Sequence, residues 1–354
     1  MYVHRSGGYS IRLSRHGNRW FFSNHEYLQS CGGEKTLPRS RCPGSGTSSP
    51  KTDGICQRIS YPVGGDFQEV GIKKILGIIG YPIGHTLSPV LHGYLIHKME
   101  LPFTYEAFEI HPDKLAYALD GMRGLSIRGL NVTIPHKQTV LPYLDSVQEE
   151  ARQLGAVNTI SLEDGKLVGY NTDGLGFTDS LQEEKGCIPK DRRILILGAG
   201  GATAAIAFQL ASQKPKELAI ANRTLKKAQI IAEMVQTFRY EKKIRCFSLD
   251  DQELVDTVKN MDIIVNTTSY GMKGETGTLI DTENLHSGQL VCDIVYRPLE
   301  TTLLKEAKRK GAEVLNGLGM LIHQGIRSLR IWTGQPISHE GLRERLIEEL
   351  TSNG

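Results

Sequence analysis

The stretch that most restricts what this chain can fold into is residues 194 to 204, Ile-Leu-Ile-Leu-Gly-Ala-Gly-Gly-Ala-Thr-Ala. Four apolar residues closed by a glycine read as a buried strand, and the alanine-rich run behind them reads as a helix. Between the two, Gly198, Ala199, Gly200, Gly201 and Ala202 match G-x-G-x-x-G/A, with Thr203 or Ala204 near the third position. Glycines there permit a tight reversal and let a pyrophosphate approach the backbone N–H groups of the helix N-terminus. A glycine match alone is weak evidence. Here a strand precedes it, a helix follows it, and a second strand over 217 to 221 comes next, which is the context the motif needs. At the end of that second strand an Asp or Glu would hold the ribose hydroxyls of NAD. The chain instead has Asn222, Arg223 and Thr224, with Lys226 and Lys227 behind. A guanidinium in place of a carboxylate suits a 2′-phosphate, so the expected cofactor is NADP.

A second organised stretch is Gly-Leu-Asn-Val-Thr-Ile-Pro-His-Lys-Gln, 129 to 138. Leu130, Val132 and Ile134 alternate with Asn131 and Thr133, so the two polar side chains share one face of a strand. Pro135 ends it and, as a first helical residue, starts a helix whose first turn carries Lys137. A lysine at the positive end of a helix runs against the usual preference for acids, and the same field favours the neutral amine that proton transfer needs. The clustering of Asn131, Thr133 and Lys137 at one strand end points to a site rather than to a solvated surface.

Upstream, residues 75 to 80 form an apolar run closed by glycine, and a polar loop leads from it to Ser88 and Pro89. Ser88 is placed to cap the helix that follows, with Pro89 in its first turn. The hydroxyls of Thr86 and Ser88, beside a helix N-terminus, would suit a carboxylate. A strand over 103 to 110, a helix over 111 to 122 and the strand of the organised stretch make β-α-β-α-β-α, a parallel three-layer unit. A helix over roughly 146 to 154 leads to 155–160, and Asp164-Gly165 is a hairpin turn that brings 167–170 back. Asp173 follows in a turn, where capping is its commonest role. Further strands, 262 to 268 and 290 to 295, end in loops carrying Thr267 and Tyr296 at the rim where a nicotinamide would lie. Gly317 opens a last segment that leads into a helix bearing Gln324.

Of 354 residues, 39% are hydrophobic and 23% charged, and the net charge is +3. This describes a globular chain with room for two domains, and gives no argument for nucleic acid or membrane. Residues 1 to 70 lack a sustained period and carry a Gly/Ser/Pro/Thr-rich run at 43 to 54. They read as a disordered extension. Their arginine-rich, acid-poor make-up matches an organelle transit segment, and a translation start set too far upstream gives the same composition. Six cysteines show no C-x-x-C pair and no zinc-like spacing with histidine. The expectation is a reducing, cytoplasmic compartment, or a plastid if the extension is a transit segment, with no disulfide and no metal.

From residue 72 to the C-terminus the chain resembles the shikimate dehydrogenases. The resemblance rests on PIGHTLSP at 82–89, NVTIPHK at 131–137, GAVNT at 155–159, NTDG at 171–174, GAGGA at 198–202, NRT at 222–224 and GLGMLIHQG at 317–325. It implies two three-layer α/β domains: a substrate domain of residues 71–172 plus 317–354, and an inserted NADP-binding Rossmann domain of residues 173–316. The implied reaction is reduction of 3-dehydroshikimate to shikimate by NADPH, by a monomer or homodimer. Lys137 and Asp173 would be the catalytic pair. Thr86 and Ser88 would hold the substrate carboxylate, and Asn131, Thr133, Asn158, Tyr296 and Gln324 the rest of the substrate. Gly198 to Ala202 would take the pyrophosphate, with Thr267 and Gly317 nearby, and Asn222, Arg223, Thr224 and Lys227 the adenosine 2′-phosphate. One departure is Thr86, where the family usually has serine; its methyl narrows the carboxylate pocket and leaves quinate open beside shikimate. A quinate dehydrogenase that uses NAD would carry an acid near Asn222, and a non-catalytic NADP sensor would lack Lys137 or Asp173.

Overall fold

The computed structural model describes three strands near the N-terminus and residues 73 to 352 other than 85, 273, 274 and 276. Met1–Gly65 and Asp66–Gly354 are separate compact units. In the first, strands β1 (Val3–Ser6), β2 (Tyr9–His16) and β3 (Arg19–Ser23) pair antiparallel, where the sequence pattern assigns no element. The remainder of the extension, with Cys31, Cys42 and Cys56, lies outside the described residues.

The second unit opens with β4 (Lys74–Gly80), α1 (Ser88–Lys98), β5 (Phe103–Glu109), α2 (Leu115–Gly124), β6 (Gly129–Val132) and the single-turn α3 (His136–Thr139). There follow β7 (Ser146–Val147), α4 (Glu149–Leu154), and the hairpin β8 (Thr159–Glu163) and β9 (Lys166–Tyr170). These strands form one sheet in the order β5-β4-β6-β8-β9-β7. Its β4 runs parallel to β5 and β6, but β8 is antiparallel to both β6 and β9. The sheet is therefore mixed, and the tight Asp164-Gly165 turn returns β9 antiparallel to β8. The expected helix over 146–154 begins only at Glu149; Ser146 and Val147 pair with Val168 and Gly169 instead.

After α5 (Asp173–Lys185) come β10 (Arg193–Leu197), α6 (Gly201–Ser212), β11 (Glu217–Ala221), α7 (Leu225–Phe238), β12 (Arg245–Phe247), α8 (Gln252–Asn260), β13 (Ile263–Asn266), β14 (Leu290–Asp293), α9 (Thr302–Arg309) and β15 (Glu313–Leu315). They build a second sheet, parallel throughout, in the order β12-β11-β10-β13-β14-β15. This is the doubly wound order whose reversal between the first and fourth strands opens a ligand crevice at their carboxyl ends. Ile194, Leu195, Ile196 and Leu197 are fully buried because helices cover both faces, as a parallel sheet requires.

The chain closes with α10 (Leu318–Thr333) and α11 (Leu342–Ser352). Their Leu318, Ile322, Leu329, Trp332 and Leu346 pack with Leu91 and Leu95 of α1 against Leu76 and Ile78 of the first sheet. The chain end thus supplies a layer to the sheet built from residues 74 to 170. Helix α10 also crosses α5 closely: a Cβ added at Gly176 would lie 2.7 Å from the Gln324 nitrogen.

Candidate active site

A cavity of about 1150 Å³ lies at the carboxyl ends of β10, β11 and β13, large enough for a dinucleotide. Ala199, Gly200, Gly201 and Ala202 form one wall. Gly198 has φ 121°, a conformation L side chains rarely adopt, and its N–H donates to Ala221 O at 2.8 Å. A Cβ on Gly198 would stand 2.6 Å from Thr267 Oγ1, so the turn tolerates no side chain. Thr203 Oγ1 accepts the Gly200 N–H at 2.9 Å and lies 2.7 Å from Thr267 Oγ1, whose own hydroxyl donates to Leu197 O at 2.7 Å. These hydroxyls hold the loop shape and leave the N-terminal N–H groups of α6 facing the cavity. Asn222, Arg223, Thr224 and Lys227 line the cavity, and among the described residues Arg223 and Lys227 have no ion-pair partner. The start of α6 at Gly201 and Ala202, beside the cations Arg223 and Lys227, fits an anionic dinucleotide with an extra phosphate. Gly317 does not line this cavity. It caps α10, and an added Cβ would meet Ile294 O at 1.9 Å, so close packing accounts for the glycine.

The second set of residues meets beside the glycine turn. Lys137 Nζ donates to Asp173 Oδ2 at 2.5 Å, and Asn158 Nδ2 donates to Asp173 Oδ1 at 2.8 Å. Asp173 is 5% exposed, while the lysine side chain is 23% exposed. Asp173 is the first residue of α5 and Thr172 its cap, so the carboxylate is turned to the lysine and not to the helix end. Asn158 is itself locked: its Oδ1 accepts from Thr172 N–H and from Thr159 Oγ1, both at 2.9 Å. One-turn α3 is too short to project the field expected from a longer helix; the dominant charge at Nζ is the Asp173 carboxylate. Lys137 lines a second pocket, of about 500 Å³, together with Ile134, Ala199, Gly200 and Gly201. The amine and the dinucleotide turn therefore share one groove.

The remaining predicted residues fall into three places. Thr86 lines the large cavity, and Ser88 is buried beneath it with the two hydroxyl oxygens 3.2 Å apart. Ser88 is the first residue of α1 and not its cap; its N–H is taken by Thr86 Oγ1 at 3.2 Å. Tyr296 lines the same cavity, and burial pushes its phenol above the ordinary range despite neighbouring Arg297. Asn131 is 5% exposed and bonded inward. Its Oδ1 accepts from Tyr105 OH at 2.7 Å, and its Nδ2 donates to Ser328 Oγ at 2.9 Å and Thr159 Oγ1 at 3.2 Å. Thr133 is half-buried on the same strand end, and Gln324 Nε2 is turned back to Leu321 O at 2.9 Å. Tyr105, Thr159 and Ser328 form a polar network that sequence reasoning missed. Ser328 lies four residues after Gln324 on α10, the spacing that puts two side chains on one helix face.

A parallel nucleotide-type sheet whose glycine turn shares a groove with a half-buried lysine paired to a buried aspartate defines a pyridine-nucleotide-dependent oxidoreductase built on two α/β sheets. The comparisons narrow the class. Residues 78–160 match the shikimate dehydrogenase substrate binding domain, 181–290 the shikimate/quinate 5-dehydrogenase family and 317–347 the shikimate 5′-dehydrogenase C-terminal domain. The chain is 42% identical over 283 residues to the shikimate dehydrogenase (NADP(+)) of Methanocaldococcus jannaschii, covering 78% of this chain and 98% of that protein. The solved shikimate 5-dehydrogenase of Thermus thermophilus, in complex with NADP(H) and shikimate, is 34% identical with TM-score 0.69, over 78% of this chain and 99% of that one. A quinate dehydrogenase of Corynebacterium glutamicum in complex with NAD is 32% identical with TM-score 0.72, over 78% and 99%. The chain belongs to the shikimate dehydrogenase family.

Proposed function

We propose that this protein is an NADP-dependent enzyme that reversibly reduces 3-dehydroshikimate to shikimate, with Lys137 and Asp173 as its catalytic pair. In this reading residues 71–172 and 317–354 hold the substrate and residues 173–316 hold the cofactor. The observation that carries it is the 2.5 Å contact between Lys137 Nζ and Asp173, in the same groove as the glycine turn. With NADP held by residues 173–316, its nicotinamide would supply or remove the hydride at the ring carbon. Lys137 gives its proton to the carbonyl oxygen in reduction and accepts the hydroxyl proton in oxidation. Asp173 holds the ammonium in place and accepts a hydrogen bond from the substrate hydroxyl, while Asn158 fixes the carboxylate. Such acid–base groups typically contribute ~10²–10⁴-fold in rate. Thr86 and Ser88 direct two hydroxyls at the substrate carboxylate, and Asn131, Thr133, Tyr296 and Gln324 complete the substrate pocket. Arg223 and Lys227, with Asn222 and Thr224, take the 2′-phosphate; a pocket built for NAD would carry an acid at this strand end instead.

Quinate oxidation is the second reading, favoured by the threonine at position 86 and by the quinate dehydrogenase among the similar structures. Steady-state oxidation of shikimate and quinate, each with NADP+ and with NAD+, separates the two. Shikimate with NADP+ should give the highest kcat/KM; quinate with NAD+ in first place would reject both the substrate and the cofactor assignment.

A further inference from the structure

Away from the cleft, three side chains from three elements converge where α5, α10 and the segment before α11 meet. Glu183 comes from the last turn of α5, His323 from α10 and His339 from the loop between α10 and α11. Glu183 Oε1 is 3.0 Å from His339 Nε2, and Glu183 Oε2 is 3.5 Å from His323 Nε2. One ligand atom from each residue lies within 4.8 Å of the other two. Four ligands held tetrahedrally at zinc distances of ~2.0–2.1 Å are themselves ~3.3 Å apart; the 3.0 and 3.5 Å contacts bracket that spacing, and a pair as far apart as 4.8 Å would close by about 1.5 Å through side-chain rotation.

We propose that Glu183, His323 and His339 form a binding site for a borderline divalent cation, zinc or a metal of similar preference, that clamps α5 to α10. Two imidazoles and one carboxylate are a donor set that such ions take, with water in the fourth position. The side chain of Glu183 is 54% exposed and that of His339 is 33% exposed, which leaves a path for the ion and its water; His323 is 9% exposed and forms the floor. A neutral imidazole is the form that ligates metal.

The surrounding charges leave this carboxylate available. Asp179 is held by a two-point contact with Arg327, at 2.6 and 2.8 Å. Glu184 is paired with Arg343 and accepts from Ser180 Oγ at 2.9 Å. Glu183 has the two imidazoles as its contacts, with the Arg343 guanidinium, itself paired with Glu184, also near enough to favour its charged form. A proton-driven pairing of the two histidines with Glu183 is the competing explanation, and it predicts no affinity for metal. The sequence hid this set because its members are 140 and 16 residues apart, far from any compact zinc-site spacing. The site does not depend on the reading of the cleft, since metal would bind whether or not shikimate is the substrate.

The test uses the full chain, stripped of metal with a chelator, as the parent protein and as Glu183→Gln and His339→Ala, both changes at solvent-accessible side chains. Zinc is titrated against a chromophoric chelator, and cobalt is added separately for its visible spectrum. The parent should bind one equivalent of zinc that raises its Tm. Each variant should lose at least tenfold in affinity for that equivalent and lose the Tm rise, with the circular dichroism of the metal-free parent retained. Cobalt in the parent should give the intense visible bands of a four-coordinate ion without a thiolate charge-transfer band. Equal affinity in parent and variants would overturn the site. So would saturation only at millimolar zinc, or a thiolate band that persists in His339→Ala, which would place the metal on cysteines.

Discussion

Replacing Asp173 by asparagine tests the centre of the proposed mechanism with the smallest change of shape. The carboxylate accepts on both oxygens, from Asn158 Nδ2 at 2.8 Å and from Lys137 Nζ at 2.5 Å. Asn158 cannot turn its amide to compensate, because its Oδ1 already holds the Thr172 N–H and the Thr159 hydroxyl. The new amide must therefore keep its oxygen toward Asn158 and present its NH₂ to the lysine ammonium, donor against donor. Loss of one charge-assisted hydrogen bond is worth ~1.5–3 kcal/mol, or about 10- to 150-fold at ~1.4 kcal/mol per decade. Because the contact orients the proton donor, kcat for shikimate oxidation with NADP+ should fall by that factor while the KM for NADP+ stays near the parent's. The assay is steady-state NADPH formation, with Tm measured alongside to establish that the variant is folded. A folded Asp173→Asn enzyme whose kcat stays within about threefold of the parent would refute the assignment.

Lys137→Ala should lower kcat by ~10²-fold or more with little change in KM; a raised KM with kcat intact would make the lysine a binding group only. Arg223→Ala should raise the KM for NADP+ by about tenfold or more and leave that for NAD+ nearly unchanged, and equal losses for both cofactors would remove the 2′-phosphate contact. His92 is fully buried, stacked on Tyr105 at 4.1 Å, with neither ring nitrogen hydrogen-bonded. Burial lowers its pKa from 6.5 to about 3, so the unfolded chain takes up a proton below about 6.5 that the folded one refuses until near 3. Stability is therefore lost as pH falls through that window. His92→Phe keeps a stacked ring and should shrink the Tm difference between about pH 7 and about pH 5; an unchanged difference would place the acid sensitivity elsewhere. A chain starting at Val70 should fold and retain activity, since the first strand of the second unit begins at Lys74 and the family match at residue 78; an insoluble or inactive product would make the extension part of the fold.

Local physics made much of this protein legible. The run Ile194–Leu197 followed by Gly198 and Gly200 can hardly be anything but a buried strand turning into a helix, and strand β10 and helix α6 are where that pattern puts them. The Asp164-Gly165 turn predicted the β8–β9 hairpin, whereas the strand expected over 130–134 ends at Val132 and leaves Ile134 exposed. Other expectations failed where a neighbour in space outweighed local preference. Ser146 and Val147 extend because β9 offers a free edge to pair with. Ser88 and Asp173 each begin a helix without capping it, since Thr86 takes the N–H of the first and Lys137 the carboxylate of the second.

What the sequence by itself determined is therefore a set of elements and the kinds of chemistry each carries: a phosphate-cradling turn, a basic segment for an extra phosphate, a lysine at a strand end. Only the tertiary structure decided which of these groups touch. Lys137 meets Asp173 across 36 residues, Asn131 meets Ser328 across 197, and Glu183, His323 and His339 converge from three separate elements. The reason is physical. Backbone sterics and the alternation of apolar side chains act between near neighbours in the chain. Contacts between side chains on different elements exist only after the two sheets and the closing helices α10 and α11 have buried their apolar faces and set the distances between them.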